Sequence, residues 1–72
     1  MGWVATFVER HTSDSLEDLK EYYIAYCDAS DEEAAEGNWY GADLYQDKAD
    51  ILRCIAQERF GVTLKYSDKY AS

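Results

Sequence analysis

The side chains with the greatest capacity for chemistry in this sequence are its carboxylates. Fifteen Asp and Glu stand against seven Lys and Arg among 72 residues. Two carboxylates act as general acid and general base when their surroundings tune their pKa values apart. Nothing in the sequence marks any two of these residues as buried or differently tuned. We therefore expect no carboxylate-based catalysis.

His11, Cys27 and Cys54 are the other candidates for catalysis or metal binding. A nucleophile needs a base beside it, and we expect His11 to be a surface or helix-cap residue rather than a catalyst. The three side chains form no short-spaced ligand pair, which disfavours a zinc site. We expect both cysteines to be buried free thiols, with a disulfide between two helices as the alternative under oxidising conditions.

The acidic segment after Asp28 does not match a calcium-binding loop. Counting from Asp28, the sixth position is Glu33, where the loop needs Gly, and the twelfth is Trp39, where it needs Glu. The four glycines also form no phosphate-binding loop. We predict that the protein is not an enzyme and that it requires no metal and no cofactor.

Length and charge limit the remaining function classes. A chain of 72 residues has room for one small domain, which we assign to residues 1–72. Its net charge of −8 argues against direct binding to nucleic acid or to an anionic membrane, because both would repel it. The N-terminal apolar run is too short for a signal peptide or a membrane span, so we expect a cytoplasmic protein.

The apolar pattern predicts an α+β fold in the order strand, helix, helix, strand. Residues 3–10 alternate like a strand, and residues 62–66 alternate like a second, closing strand. Two amphipathic helices, at about 14–30 and 43–60, would pack on this short β-sheet, and Gly61 would end the second helix. Asp14 is the expected N-cap of the first helix, with Ser13 and Ser15 as alternatives.

The segments between and after these elements are less regular. Residues 31–38 are either a helical extension ended by Gly37 or an acidic loop, and the glycine favours some helix. Residues 38–41 are either an aromatic turn or a minimal third strand. We expect the tail at 67–72 to fray, although Tyr70 could dock against the domain.

The negative charge is concentrated in the middle of the chain. Residues 13–50 carry twelve acids and two bases, for a net charge of −10, whereas residues 1–12 are neutral and residues 51–72 carry +2. Like charges this close repel one another and lower stability, which favours a functional explanation of the excess. An ordinary solvated face and adaptation to high salt are the two alternatives.

A helical wheel places five of the acids within one arc of the first helix. They would extend over about 21 Å of the helix axis, or one charge per 4–5 Å. This density approaches the 3.4 Å spacing of a single nucleic-acid strand, but duplex DNA is denser. Duplex-like density would require residues 31–36 and 43–50 to join the same stripe. The five acids are Asp14, Glu17, Asp18, Glu21 and Asp28.

Aromatic residues give a second signal for an interface. Seven tyrosines cannot all be buried in a core this small, and exposed Tyr and Trp side chains beside charge are typical anchors of protein interfaces. Trp39, Tyr40 and Tyr45 are the predicted anchors. The alternative is that these rings only close the core where the helices meet.

A very short, acidic, proline-free domain with a carboxylate stripe resembles the phage and mobile-element inhibitors of bacterial defence, in particular anti-CRISPR and antirestriction proteins. The five stripe acids and residues 31–36 carry this resemblance, which is to a class without a shared motif. It implies a non-enzymatic inhibitor that occupies a basic, nucleic-acid-binding surface of a defence complex in the host cytoplasm, with DNA mimicry as one form of such occupation. The expected contact residues are Asp14, Glu17, Asp18, Glu21, Asp28, Asp31, Glu32, Glu33, Glu36, Trp39, Tyr40, Asp43, Tyr45 and Asp47.

The competing hypothesis is a host-encoded interaction or regulatory module. Such a module could form a homodimer through an exposed edge of the predicted sheet. The sequence is compatible with either a monomer or a homodimer.

Overall fold

The computed structural model describes residues 2–70, and this part of the chain is entirely helical or irregular, with no β-strand. The elements are α1 (Gly2–His11), α2 (Leu16–Ala35), α3 (Trp39–Phe60) and a short C-terminal 3₁₀ helix (Tyr66–Tyr70). The predicted α+β fold is therefore wrong. Both central helices are present, but α2 begins at Leu16 rather than at residue 14 and α3 begins at Trp39 rather than at residue 43. The two predicted strands are absent from the described residues.

Helices α2 and α3 form an antiparallel hairpin. The Ser30 hydroxyl donates a hydrogen bond to the Ala42 carbonyl (2.8 Å) at the closed end of this hairpin. At the open end, the Arg59 guanidinium donates to the carbonyl of Asp14 (2.5 Å). Leu19 faces Leu52 across the hairpin core, and neither side chain is exposed.

Local capping explains where the long helices begin and end. Ser15, rather than Asp14, is the N-cap of α2, because its hydroxyl accepts a hydrogen bond from the backbone N–H of Asp18 (3.2 Å). Asn38 caps α3 in the same way, accepting from the N–H of Gly41 (3.2 Å). Residues 39–41 are thus the first turn of a helix, neither an aromatic turn nor a third strand.

Two glycines with positive φ end the long helices. The helical extension beyond residue 30 is confirmed, and the chain turns at Gly37, whose φ is +83°. Gly61 ends α3 in the left-handed conformation, with φ +67°, as its position predicted. Side chains other than glycine rarely adopt this conformation, which is why both positions could be identified in the sequence.

The segment predicted as the first strand is helix α1. Its apolar residues Trp3, Val4, Phe7 and Val8 fit a helix as well as a strand, because they also recur at spacings of three and four. The β-branched residues favoured the strand prediction. In the helix, Thr6 donates its hydroxyl hydrogen to the Gly2 carbonyl (3.1 Å), and Phe7 becomes part of the core.

The segment predicted as the closing strand has no partner strand. Its alternating burial is as expected, since Val62 and Leu64 pack against the core and Leu64 is only 1% exposed. With α1 helical, however, the described chain offers no strand edge to pair with, so residues 62–65 run in irregular conformation over the hairpin. The pattern identified the inward side chains but not the backbone pairing.

The tail and the thiols also differ from expectation. Residues 67–70 belong to the 3₁₀ helix rather than to a frayed end, while residues 71 and 72 lie outside the described residues. Tyr70 does not dock, because its side chain is exposed. Cys27 and Cys54 are both free, but Cys27 is half-buried and Cys54 is exposed, so the prediction of two buried thiols is wrong.

The hydrophobic core is one thin cluster. The Cα atoms extend over 35 × 34 × 14 Å, so the molecule is a flat slab in which few side chains lose all contact with water. Most of the core comes from the facing sides of α2 and α3, with one residue from α1 and one from the C-terminal segment. Its members are Phe7, Leu19, Tyr23, Ala49, Leu52, Ile55, Ala56 and Leu64.

Replacing Leu64 by Ala tests whether the irregular C-terminal segment is part of this core. We expect unfolding free energy to fall by about 2–5 kcal/mol, because the change removes a fully buried side chain and leaves a cavity. Chemical denaturation followed by circular dichroism measures this loss. Lys65→Ala, at the exposed neighbouring position, is the control and should stay within about 0.5 kcal/mol of the parent. Equal stability of the two variants would contradict the observed docking.

Candidate interaction surface

The N-terminal half of α2 carries the most prominent group of unpaired acids. We call Glu17, Asp18 and Glu21 the acidic edge. All three are exposed, because Leu19 and Tyr23 direct the opposite face of the helix into the core. No base forms an ion pair with them within residues 2–70. Glu17 and Asp18 lie in the first turn, where the helix dipole stabilises negative charge.

Three other acids of the predicted contact set are bound within the protein. The His11 Nδ1 atom lies 2.7 Å from Asp14 Oδ2. Glu33 accepts a hydrogen bond from the side-chain amide of Asn38 (2.7 Å) at the hairpin turn. Asp28 is bound by the C-terminal 3₁₀ helix. These three carboxylates help to join neighbouring segments and are less available to a partner than the acidic edge.

The acids of α3 do not extend the acidic edge. Asp43 and Asp47 are exposed, as is Asp50. Asp43 and Asp47 lie on the side of α3 opposite Ala49 and Leu52, which face α2. The outer acids of the two helices therefore point away from each other across the hairpin. The acids of α2 and those of α3 therefore do not form one continuous stripe, which a charge density like that of duplex DNA would require.

The closed end of the hairpin brings together acids and exposed aromatic rings. Asp31, Glu32 and Glu36 are exposed there. Trp39 and Tyr40, in the first turn of α3, are 67% and 81% exposed. Such side chains are suited to bury apolar area against a partner.

Tyr45 is not an exposed anchor but part of an aromatic cluster between helices, in line with the alternative that these rings close the core. Its ring stacks on Tyr26 at 6.1 Å, and Phe7 of α1 contacts Tyr26 at 5.7 Å. The Lys48 ammonium lies 5.5–6.0 Å from the ring centroids of Trp3, Tyr26 and Tyr45. These distances allow cation–π attraction, which holds the lysine over the cluster.

His11 is buried rather than at the surface. Its ring lies between Phe7 (4.6 Å between centroids) and Tyr22 (4.8 Å), and its bond to Asp14 joins the end of α1 to the turn before α2. The spacing of Phe7 and His11, four residues apart, is the signal that indicates a shared helix face. The strand assignment concealed this signal.

Asp28 is held by two side chains of the C-terminal 3₁₀ helix. Tyr66 donates its hydroxyl hydrogen to Asp28 Oδ1, and the Lys69 ammonium lies 3.3 Å from Oδ2. The Tyr66 hydrogen bond, followed by that of Lys69, lowers the pKa of Asp28 below its ordinary value. The same bond raises the pKa of Tyr66, because it stabilises the protonated phenol.

The described residues contain no cluster of three or more potential ligands that could hold a metal ion. Within residues 2–70, no helix combines the length and the apolar character needed to cross a membrane.

Comparisons with known proteins found no matching family model, no matching curated protein and no matching solved structure.

Replacing Tyr66 by Phe tests the bond to Asp28. We expect the pKa of Asp28 to rise toward its ordinary value, because the largest cause of its depression is removed. A depressed carboxyl pKa contributes stability that is present above the unfolded-state pKa, near 3.9, and is lost as pH falls through the folded-state value. The acid-induced loss of stability should therefore be smaller in the variant than in the parent.

Carboxyl NMR titration and denaturation at several pH values measure these changes. Tyr70→Phe is the matched control, since it removes a phenolic hydroxyl from the same helix and makes no bond to Asp28. An unchanged Asp28 titration in Tyr66→Phe would show that the bond is absent in solution.

Proposed function

We propose that the protein is a non-enzymatic inhibitor that binds a basic, nucleic-acid-binding surface of another protein, of the kind found in bacterial defence complexes. The observation that carries the proposal is the acidic edge. Glu17, Asp18 and Glu21 lie together on one exposed helix face without a pairing base among the described residues. On a solvated helix, interleaved bases would normally offset such charge.

The local charge density supports competition with a nucleic-acid strand. Glu17 and Glu21 are separated by about 6 Å along the helix axis, with Asp18 between them. The average interval of about 3 Å is close to the 3.4 Å charge spacing of one strand. The density is local, because Asp28 is bound internally and the α3 acids lie on the other edge. We therefore propose occlusion of a basic site rather than imitation of a long duplex.

The closed end of the hairpin supplies a second contact region. Asp31, Glu32 and Glu36 surround the start of the turn, and Trp39 and Tyr40 follow it. Helix α2 has 20 residues and is thus about 30 Å long. A basic groove of this length could contact both ends, with the carboxylates steering association and the aromatic rings slowing dissociation.

A regulatory module that dimerises through a sheet edge is not supported. Residues 2–70 contain no strand and therefore no sheet edge.

The test reverses the charge of the acidic edge. The variant Glu17→Lys/Asp18→Lys/Glu21→Lys should associate with its partner at least about tenfold more slowly at low salt, because electrostatic steering is lost. The wild-type chain is used as bait in a lysate of bacteria carrying CRISPR and restriction systems. Captured proteins should include a nucleic-acid-binding subunit that short duplex DNA displaces. Purified protein should inhibit cleavage of target DNA by the captured complex.

A matched control distinguishes the effect of the position of the reversed charges from the effect of the altered net charge. Glu9→Lys/Asp50→Lys/Glu58→Lys reverses three exposed acids elsewhere, so both triple variants change from a net charge of −8 to −2. The control should retain capture and inhibition, apart from a smaller loss common to any reduction in net charge. Equal binding and inhibition by the two variants would rule out the acidic edge as the contact surface.

A further inference from the structure

A groove between α1 and α3 has the opposite character to the acidic edge. Trp3, Thr6 and Arg10 line it from α1, and Tyr40, Leu44 and Lys48 line it from α3. We call it the α1–α3 groove.

The α1–α3 groove combines apolar surface with unpaired positive charge. Trp3 is partly exposed, and Tyr40 is almost fully exposed. Arg10 is exposed as well, and within residues 2–70 no carboxylate forms an ion pair with Arg10 or Lys48. In a chain of net charge −8, the lining of this groove contains two cations and no carboxylate. The groove therefore favours an occupant that carries both carboxylates and an apolar side chain, and it disfavours a basic protein.

The acidic edge of a second molecule has this chemistry. Asp18 and Glu21 flank Tyr22, whose side chain is 45% exposed, in a shallow depression on α2. The two carboxylates complement Arg10 and Lys48. The exposed part of the Tyr22 ring complements the apolar walls of the groove.

A molecule cannot place its own acidic edge in its own groove. Trp3, Thr6 and Arg10 lie on the side of α1 that borders α3. The His11 ring, on another side of α1, contacts Tyr22 of α2. Helix α1 thus separates the two surfaces, and a contact between them requires two copies of the chain.

We propose that the α1–α3 groove binds the acidic edge of a second copy of this protein. The contact is head-to-tail, because different surfaces of the two copies meet, so repetition gives either a closed ring or an open chain. It also covers the carboxylates that the proposed function assigns to a basic partner. Self-association would then compete with that partner. The inference goes beyond the proposed function, since two copies can bind each other with no basic protein present.

Sedimentation velocity at low salt tests the contact with the purified chain. The wild-type protein should form species larger than a monomer as its concentration rises. The groove variant Arg10→Ala/Lys48→Ala removes both groove cations without touching the residues assigned to the basic partner, and it should weaken association at least about tenfold. Arg53→Ala/Lys65→Ala removes two cations at exposed positions outside the groove, so it has the same net charge as the groove variant, and it should associate like the parent.

Mixing two defective variants identifies which surfaces meet. The groove variant retains its acidic edge, and the acidic-edge variant described above retains its groove. Each should be monomeric alone, whereas their mixture should form a 1:1 heterodimer that cannot grow further, because only one intact edge and one intact groove are present. Circular dichroism checks that both variants are folded.

Two outcomes would overturn the proposal. The first is a wild-type chain that stays monomeric at every concentration, and the second is a mixture that gives no heterodimer while the wild type associates. If the groove variant instead lost capture of the basic partner without changing self-association, the groove would be a contact for another protein. The proposed function is tested separately by capture and inhibition, so either idea can fail while the other stands.

Discussion

The close packing of α2 against α3 is the constraint on which the remaining structure depends. Ala49 and Ala56 have no exposed surface, and these small side chains lie beside Leu19 and Leu52 in the same cluster. Close packing at these positions fixes how each helix is rotated about its axis. Because the inner face of each helix is fixed, the direction in which every outward side chain points is fixed as well. The acidic edge is exposed, and separated from the α3 acids, for this reason.

The carboxylates of α2 and of the turn before it fall into two groups, those bound by another segment and those left unpaired. Where a second segment meets α2, a carboxylate is bound by that segment, as Asp14 is by His11 and Asp28 is by Tyr66 and Lys69. Each of these bonds joins two segments, and the Lys69 ammonium also offsets the charge of Asp28. Where no segment covers α2, the acids stay unpaired and exposed. Fewer carboxylates are therefore available to a partner than the number of acids in the sequence suggests. Those that remain lie mainly at the acidic edge and at the closed end of the hairpin.

Helix α1 gives the flat hairpin two surfaces of opposite character. Its Phe7 ring joins the core, and its His11 ring contacts Tyr22 beside the acidic edge. Its other side forms the α1–α3 groove with Arg10 at the rim. The charge along the chain did not reveal this arrangement, because residues 1–12 are neutral in sum. The cation Lys48 comes from the acidic middle of the sequence and reaches the groove only through the packing of α3 against α1.

Features that depend only on neighbouring residues could be predicted from the sequence. The presence of two long central helices, the turn at Gly61 and the inward position of Leu64 all follow from local periodicity or backbone preference. Features that depend on distant partners could not be predicted in this way, because they require contacts made in the folded chain. Residues 3–10 fit both a strand and a helix locally, and a strand would have needed a second strand to bind its backbone. The burial of His11 and the binding of Asp28 across 38 residues likewise require contacts that no local pattern encodes.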